Sequence, residues 1–178
     1  MTRSTTKRLT LSAMFLALGL LLPFLTGQIQ TIGSMLSPMH IPVLLCGFVC
    51  GWPWGLAVGF ITPLLRSLLF GMPPMVPIAL AMAFELAAYG AIAGILYERL
   101  PKGLPYVYLA LVVSMLLGRA VWGIASYIIF SLQRGAFTLP MFLAGAVTKA
   151  WPGIILHLVI IPPIVVALEK GKLIPVTD

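Results

Sequence analysis

Four charged side chains stand inside long apolar stretches of this sequence, where a charge is costly unless something compensates it. They are Arg66, Glu85, Arg119 and Lys149, and His40 opens a further apolar stretch. A guanidinium binds a carboxylate through two parallel hydrogen bonds, whereas an ammonium binds it as a point charge. Three cations against one carboxylate leave a positive excess. The pattern therefore favours recognition of a small anion.

Aromatic side chains accompany these charges at helical spacing. Tyr89 shares a helical face with Glu85, and Trp122 shares one with Arg119. A charge beside an aromatic ring is expected where a cavity opens in a helix bundle. We therefore predict one substrate-binding site, formed by Arg66, Glu85, Tyr89, Arg119, Trp122, Lys149, His40 and Trp151.

Two simpler interpretations of the charges remain open. Glu85 could pair with Arg119 or Arg66 and only tie two helices together. Arg66 could also extend its long side chain to a nearby membrane interface. Neither interpretation balances all three cations, so at least one should meet water, backbone carbonyls or an anionic ligand. We favour a net positive cavity that opens to the external side.

The composition predicts the elements that must position these residues. Of the 178 residues, 61% are hydrophobic and 8% are charged, compared with about half and about a quarter in soluble domains. Several apolar runs approach the ~20 residues that a membrane-spanning helix needs. We predict an all-α membrane protein, a single domain over 1–178 that forms a compact bundle of six transmembrane helices. The predicted helices are about 9–27, 40–52, 54–71, 75–97, 105–132 and 139–168.

The basic residues predict the orientation of the bundle. Lysine and arginine concentrate on the cytoplasmic side of membrane proteins. Seven of them would lie on one side of this bundle and only Arg134 on the other; the seven are Arg3, Lys7, Arg8, Arg99, Lys102, Lys170 and Lys172. Both termini are therefore predicted to be cytoplasmic. Because the net charge of +7 lies mostly in short flanks and loops, it indicates topology rather than nucleic-acid binding.

Catalytic and metal chemistry have little support in the sequence. The sole aspartate is Asp178, and neither a G-x-S-x-G motif nor a P-loop occurs. Cys46 and Cys50 stand four residues apart in an apolar stretch, where small core residues are the better interpretation than a metal site. We expect no enzyme, no metal and no cofactor.

Small residues recur every four positions, a spacing that lets helix backbones approach closely in a membrane. Internal packing is the better interpretation for the glycines, which are Gly47, Gly51, Gly55, Gly59, Gly90 and Gly94. Ala13 and Ala17 repeat the spacing in the first helix, where a surface that contacts a partner is a further interpretation.

The sequence resembles a known family of membrane proteins. The stretches "SPMHIPVLLCGFVCGW", "TPLLRSLLFGMPPMVP" and "AMAFELAAYG" are similar to those of a bacterial branch of the S components of energy-coupling factor (ECF) vitamin transporters. Six helices in under 200 residues and Ala13-x-x-x-Ala17 near the start of the first helix agree with this resemblance. The likeness covers nearly the whole chain.

The resemblance implies a mechanism. Such an S component in the bacterial plasma membrane binds a vitamin from outside, and its external loops close over the ligand. It associates with a transmembrane T component and two cytoplasmic ATPases, and it topples in the membrane to carry the site inwards. Ala13 and Ala17 would then dock with the T component. The vitamin would lie between the loops near 28–40 and 70–77 and the outer halves of the last three helices.

The fold does not identify the vitamin, because S components share a fold while their sites differ. Pantothenate suits a cationic site best, since it offers one carboxylate, two hydroxyls and one amide. A pyrimidine or pyridoxine-type vitamin, bound through Glu85, is the alternative. A self-sufficient small facilitator or a structural membrane subunit is the rival outside this class.

Overall fold

The computed structural model describes residues 3–26, 35–148 and 150–171, and within these ranges it contains helices and no strands. We number the α-helices α1 to α7; a wider turn of helix lies at Ala144–Thr148, whereas Met75–Ala79 contains an extended residue, Val76, and leads into α4 through a kink. The prediction of an all-helical protein is confirmed. The helices are α1 Arg3–Leu21, which continues as a 3₁₀ turn over Leu22–Thr26, α2 His40–Cys50, α3 Trp52–Phe70, α4 Leu80–Arg99, α5 Leu104–Leu132, α6 Leu139–Leu143 and α7 Trp151–Lys170.

Each of the six predicted segments contains a helix, but the described helices differ in how far they reach. Five stretches are long and apolar enough to cross a membrane: Thr5–Leu25, Trp52–Phe70, Met75–Arg99, Leu104–Leu132 and Leu139–Lys170. The remaining helix, α2, has 11 residues and is therefore only about 16 Å long. This is about half of the ~30 Å hydrocarbon core, so α2 begins deep inside the bundle.

The short helix α2 lies at the centre of the bundle. All of its residues are buried, and α1, α3, α4 and α7 pack around it. A helix that is apolar on every side belongs in an interior, which explains why this one is enclosed. Both cysteines belong to α2, and the Cys46 thiol lies 3.7 Å from the Ser12 hydroxyl of α1. The interpretation of Cys46 and Cys50 as core residues is confirmed.

Glycine allows α4 to lie directly against its neighbours. A Cβ atom on Gly55 of α3 would stand 2.5 Å from the carbonyl oxygen of Gly90, and one on Gly94 would stand 2.5 Å from the amide nitrogen of Trp52. These separations are too short for any side chain, so the helix backbones touch. The prediction that the repeated glycines serve internal packing is confirmed at these positions.

One end of the bundle, which we call the basic end, carries Arg8, Arg99, Lys102 and Lys170. There the Lys102 ammonium donates a 2.7 Å hydrogen bond to the Tyr97 carbonyl and lies 3.6 Å from the Tyr97 ring centroid. Counting 1.5 Å per residue from this end, Glu85, Arg119 and His157 all lie at about 20 Å. Three helices therefore bring polar side chains to one depth.

Candidate functional site

Glu85 is the centre of a group of polar side chains that we call the polar cluster. Its other members are His40, Tyr89, Arg119 and His157. Its side chain is 1% exposed, and its Oε1 atom lies 2.9 Å from Nη1 of Arg119. The Tyr89 hydroxyl, one helical turn further along α4, donates a 3.0 Å hydrogen bond to the same oxygen. Of the two internal pairings that the sequence left open for Glu85, the structure contains the one with Arg119, because the Glu85 face of α4 packs against α5.

The opposite charges of Glu85 and Arg119 cancel, but the two side chains differ in solvent exposure. Arg119 retains 18% exposure, against 1% for Glu85. A guanidinium carries five N–H donors, and Glu85 is the hydrogen-bonding partner of Arg119 among the described residues. The Arg119 guanidinium also lies 5.9 Å from the Trp122 ring. Arg119 is therefore anchored by Glu85 and still has N–H groups with which it can bind another molecule.

His40, the first residue of α2, also belongs to the cluster. Its Nε2 atom lies 3.8 Å from Oε1 of Glu85, which is too long for a hydrogen bond. The ring is packed between two others, with centroids 5.4 Å from Tyr89 and 5.8 Å from His157. Neither ring nitrogen of His40 has a hydrogen-bond partner within the described ranges. A buried imidazole without hydrogen bonds is costly, so this one is available for a ligand.

His157 joins the cluster from α7, and the sequence assigned no role to it. Its ring stacks on His40 at an interplanar angle of 22°, and its Nε2 atom lies 3.3 Å from the Ser37 carbonyl oxygen. The sequence did contain a signal for His157, namely a lone histidine in a long apolar helix at the same depth as Glu85. The contact with Ser37 had no such signal, because it joins residues 120 positions apart.

Aromatic rings lie beside the Arg119 side of the cluster. The Trp122 ring stacks on Phe142 at 6.0 Å and meets Phe137 edge-on at 5.8 Å. An open apolar groove of about 370 Å³ adjoins these rings, lined by Ala120, Gly123, Ile124, Tyr127, Phe137, Thr138, Leu139 and Phe142. Because the groove contains no charged side chain, the buried polar cluster is the better candidate for recognition of a polar ligand.

Arg66 lies elsewhere, between α3 and the end of α1. It is 3% exposed, donates a hydrogen bond to the Leu20 carbonyl, and lies 5.1 Å and 5.3 Å from the Phe24 and Phe70 ring centroids. The last carbonyls of a helix lack partners within it, and Arg66 supplies one. The guanidinium therefore ties α1 to α3, rather than extending to an interface or pairing with Glu85.

Two further residues of the predicted site are Trp151 and Lys149. Trp151, the first residue of α7, is 56% exposed. Lys149 lies outside the described residues, as do positions 28–34 of the predicted external loop. Among the residues that the structure describes, no three histidine, cysteine or acidic side chains converge as a metal site. The structure thus brings together His40, Glu85, Tyr89, Arg119 and Trp122 of the predicted set, and adds His157.

Ala13 and Ala17 both lie on the surface of α1. The opposite face of this helix packs inwards through Ser12 and Phe15, which are 4% and 5% exposed. The exposed side therefore presents two small residues one helical turn apart. A partner helix can approach such a surface closely.

Comparison with protein families gives a match that covers most of the chain. Residues 7–165 match the family described as ECF transporter, substrate-specific component. No curated protein and no solved structure matches the chain.

Proposed function

Since the chain belongs to the family of ECF transporter substrate-specific components, we propose that it captures a small vitamin at the cluster of His40, Glu85, Arg119 and His157. The chain is thus a multi-pass membrane protein and the substrate-specific subunit of a transporter. The observation that carries the proposal is the group of buried imidazole nitrogens that have no hydrogen-bond partner among the described residues, around a charged pair in the bundle. An interior retains such atoms where a ligand completes their hydrogen bonds.

Pantothenate is the ligand that we put first. Its carboxylate would bind the N–H groups of Arg119 that Glu85 leaves open, and Lys149 would contribute a second positive charge. Its hydroxyls and amide would meet the imidazoles of His40 and His157. The partial exposure of Arg119 supports this assignment, because a fully enclosed guanidinium would have no free edge for a carboxylate.

A pyridoxine-type or pyrimidine vitamin is the second candidate, and the charge of the cluster favours it. The described members contribute one cation, Arg119, and one anion, Glu85, so the formal charges cancel. A neutral heterocycle would need no further cation in a medium of low dielectric constant. Its ring nitrogens and hydroxyls would bind the imidazoles.

The remaining parts of the proposal concern assembly and orientation. Both termini are cytoplasmic in a bacterial plasma membrane, which places the basic end inside and the polar cluster in the outer half of the bundle. The exposed Ala13 and Ala17 face docks with a transmembrane T component, which works with two cytoplasmic ATPases. Vitamin capture and docking therefore use opposite halves of the protein.

Direct binding to the purified full chain tests the proposal. Mass spectrometry of small molecules released on denaturation is the first measurement, and calorimetric titration with pantothenate, its alcohol pantothenol and pyridoxine is the second. Tighter binding of pantothenate than of pantothenol supports a site that reads a carboxylate. Equal binding of acid and alcohol contradicts the anionic ligand, and preference for pyridoxine replaces pantothenate with the second candidate.

A further inference from the structure

The contact between His157 and Ser37 determines which nitrogen of the imidazole carries a proton. A backbone carbonyl only accepts hydrogen bonds, so Nε2 of His157 must carry the hydrogen in the 3.3 Å contact with the Ser37 oxygen. A charged imidazole here would be a second buried cation beside Arg119, and Glu85, the carboxylate neighbour of Arg119 among the described residues, is already paired. The ring is therefore neutral, and its Nδ1 atom presents a lone pair.

No described residue donates a hydrogen bond to that lone pair. His157 is 3% exposed, and its Nδ1 atom has no hydrogen-bond partner in the described part of the chain. The neighbouring ring of His40 cannot complete it, because the two rings stack with a centroid distance of 5.8 Å instead of meeting edge to edge. Nδ1 is thus an enclosed acceptor in the layer that also contains Glu85 and Arg119.

The local backbone holds this geometry in place. Ser37 has a positive φ of 48°, a conformation that is unfavourable for a residue with a side chain. Its carbonyl also accepts the backbone N–H of His40 at 3.0 Å, so one oxygen positions both imidazoles. Gly153, one turn before His157, lets this segment approach α7, since a Cβ atom there would lie 2.7 Å from the Met35 carbonyl oxygen.

We propose that His157 determines ligand specificity: its Nδ1 atom accepts a hydrogen bond from a hydroxyl or N–H group of the bound molecule. The Ser37 carbonyl is the positioning partner that holds the ring in the required tautomer. This inference rests on the proposed function and narrows it. The ligand must carry, next to the group that binds Arg119, a donor that reaches α7.

Two substitutions of His157 separate recognition from positioning. The amide nitrogen of His157→Gln can occupy the place of Nε2 and keep the hydrogen bond to Ser37, but it leaves no acceptor at Nδ1. The amide oxygen of His157→Asn can occupy the place of Nδ1, but the contact with Ser37 is lost. Both variants are titrated as full chains with two matched pairs of probes, pantothenate with 4′-deoxypantothenate and pyridoxine with 4-deoxypyridoxine.

The wild type should prefer the hydroxylated member of the pair that it binds by about 10- to 100-fold, the effect of leaving one buried acceptor unsatisfied. His157→Gln should remove this preference and leave the melting temperature nearly unchanged. His157→Asn should keep part of the preference and lower the melting temperature. An unchanged preference in His157→Gln overturns the inference, as does the absence of any preference in the wild type.

The tautomer of His157 can be measured without any ligand, which tests this inference independently of which vitamin binds. In ¹⁵N NMR spectra of the histidine-labelled full chain, assigned with His157→Gln, His157 should be neutral with its proton on Nε2. A proton on Nδ1 overturns the inference whichever vitamin binds. If His157 has the expected tautomer and the wild type binds none of the four probes, the proposed vitamins are wrong. Mass spectrometry of released molecules then identifies the ligand with which the same two variants are titrated.

Discussion

The Arg119 guanidinium lies 2.9 Å from the Glu85 carboxylate, and this ion pair joins α5 to α4 in the interior of the bundle. Tyr89 donates to the same carboxylate oxygen at 3.0 Å, and Gly118 leaves room for it, since a Cβ atom at position 118 would overlap the Tyr89 ring. The pair thus holds Arg119 at a fixed position while part of its side chain stays exposed. The proposed site would therefore bind its ligand with residues that also hold two helices together.

Glu85→Gln should destabilise the protein by about 3–5 kcal/mol, because it leaves the buried Arg119 charge without its partner. The measurement is thermal or denaturant unfolding of the purified protein in detergent. The matched control is the double variant Glu85→Gln/Arg119→Gln, which removes both charges and should lose less stability than the two single changes added together. Additive losses would show that the two side chains do not interact.

Arg66→Gln should lower stability by about 2–4 kcal/mol, since it removes a charged hydrogen bond and two cation–π contacts. Because Arg66 binds the Leu20 carbonyl, any loss of affinity should be the same for pantothenate and for pantothenol. Arg119→Gln is the comparison, and it should weaken binding of the acid more, by about 10- to 150-fold. A loss in Arg66→Gln that is confined to the acid would instead make Arg66 a carboxylate-binding residue.

Ala13→Trp and Ala17→Trp should block uptake by the complete transporter and leave vitamin binding by the isolated chain intact. A bulky side chain on this exposed face prevents close approach of a partner helix, and the polar cluster lies towards the other end of the bundle. The measurements are uptake of labelled vitamin in cells and titration of the purified chain. Leu116→Trp is the control, because Leu116 is 67% exposed on α5. Unchanged uptake in both alanine variants would make Ala13-x-x-x-Ala17 ordinary surface.

Cysteine labelling should place Arg134 outside the cell and Lys102 inside it. The native Cys46 and Cys50 are 0% and 1% exposed, so a membrane-impermeant maleimide should leave them unmodified in the folded protein. Arg134→Cys should react in intact cells, and Lys102→Cys should react only after the membrane is opened. The reverse pattern would invert the proposed orientation and place the polar cluster in the cytoplasmic half.

Gly90→Ala should destabilise the bundle by about 3 kcal/mol or more, through a clash that no side-chain rotation relieves. A Cβ atom on Gly90 would meet the backbone of Gly55. Gly135→Ala is the matched control, because its nearest neighbour would be a Phe130 side-chain carbon at 3.3 Å. Equal melting temperatures for the two variants would contradict the direct backbone contact between α3 and α4.

The sequence by itself determined that the protein is a helical membrane protein, and it also determined which residues share a face within one helix. Runs of about 20 apolar residues leave few options other than membrane helices, and glycines at four-residue spacing place small residues along one face of a helix. The same local rule put Glu85 beside Tyr89. These conclusions depend on features within one helix, which is why they could be drawn without knowing how the helices pack.

Only the tertiary structure decided which partner each charge has. Whether Glu85 meets Arg119 or Arg66 depends on how α3, α4 and α5 are rotated about their axes, and a sequence does not record those rotations. Arg66 thus binds the Leu20 carbonyl 46 positions away, and His157 reaches Ser37 across 120 positions. The central place of α2 has the same origin, because its burial is created by the four helices that pack around it.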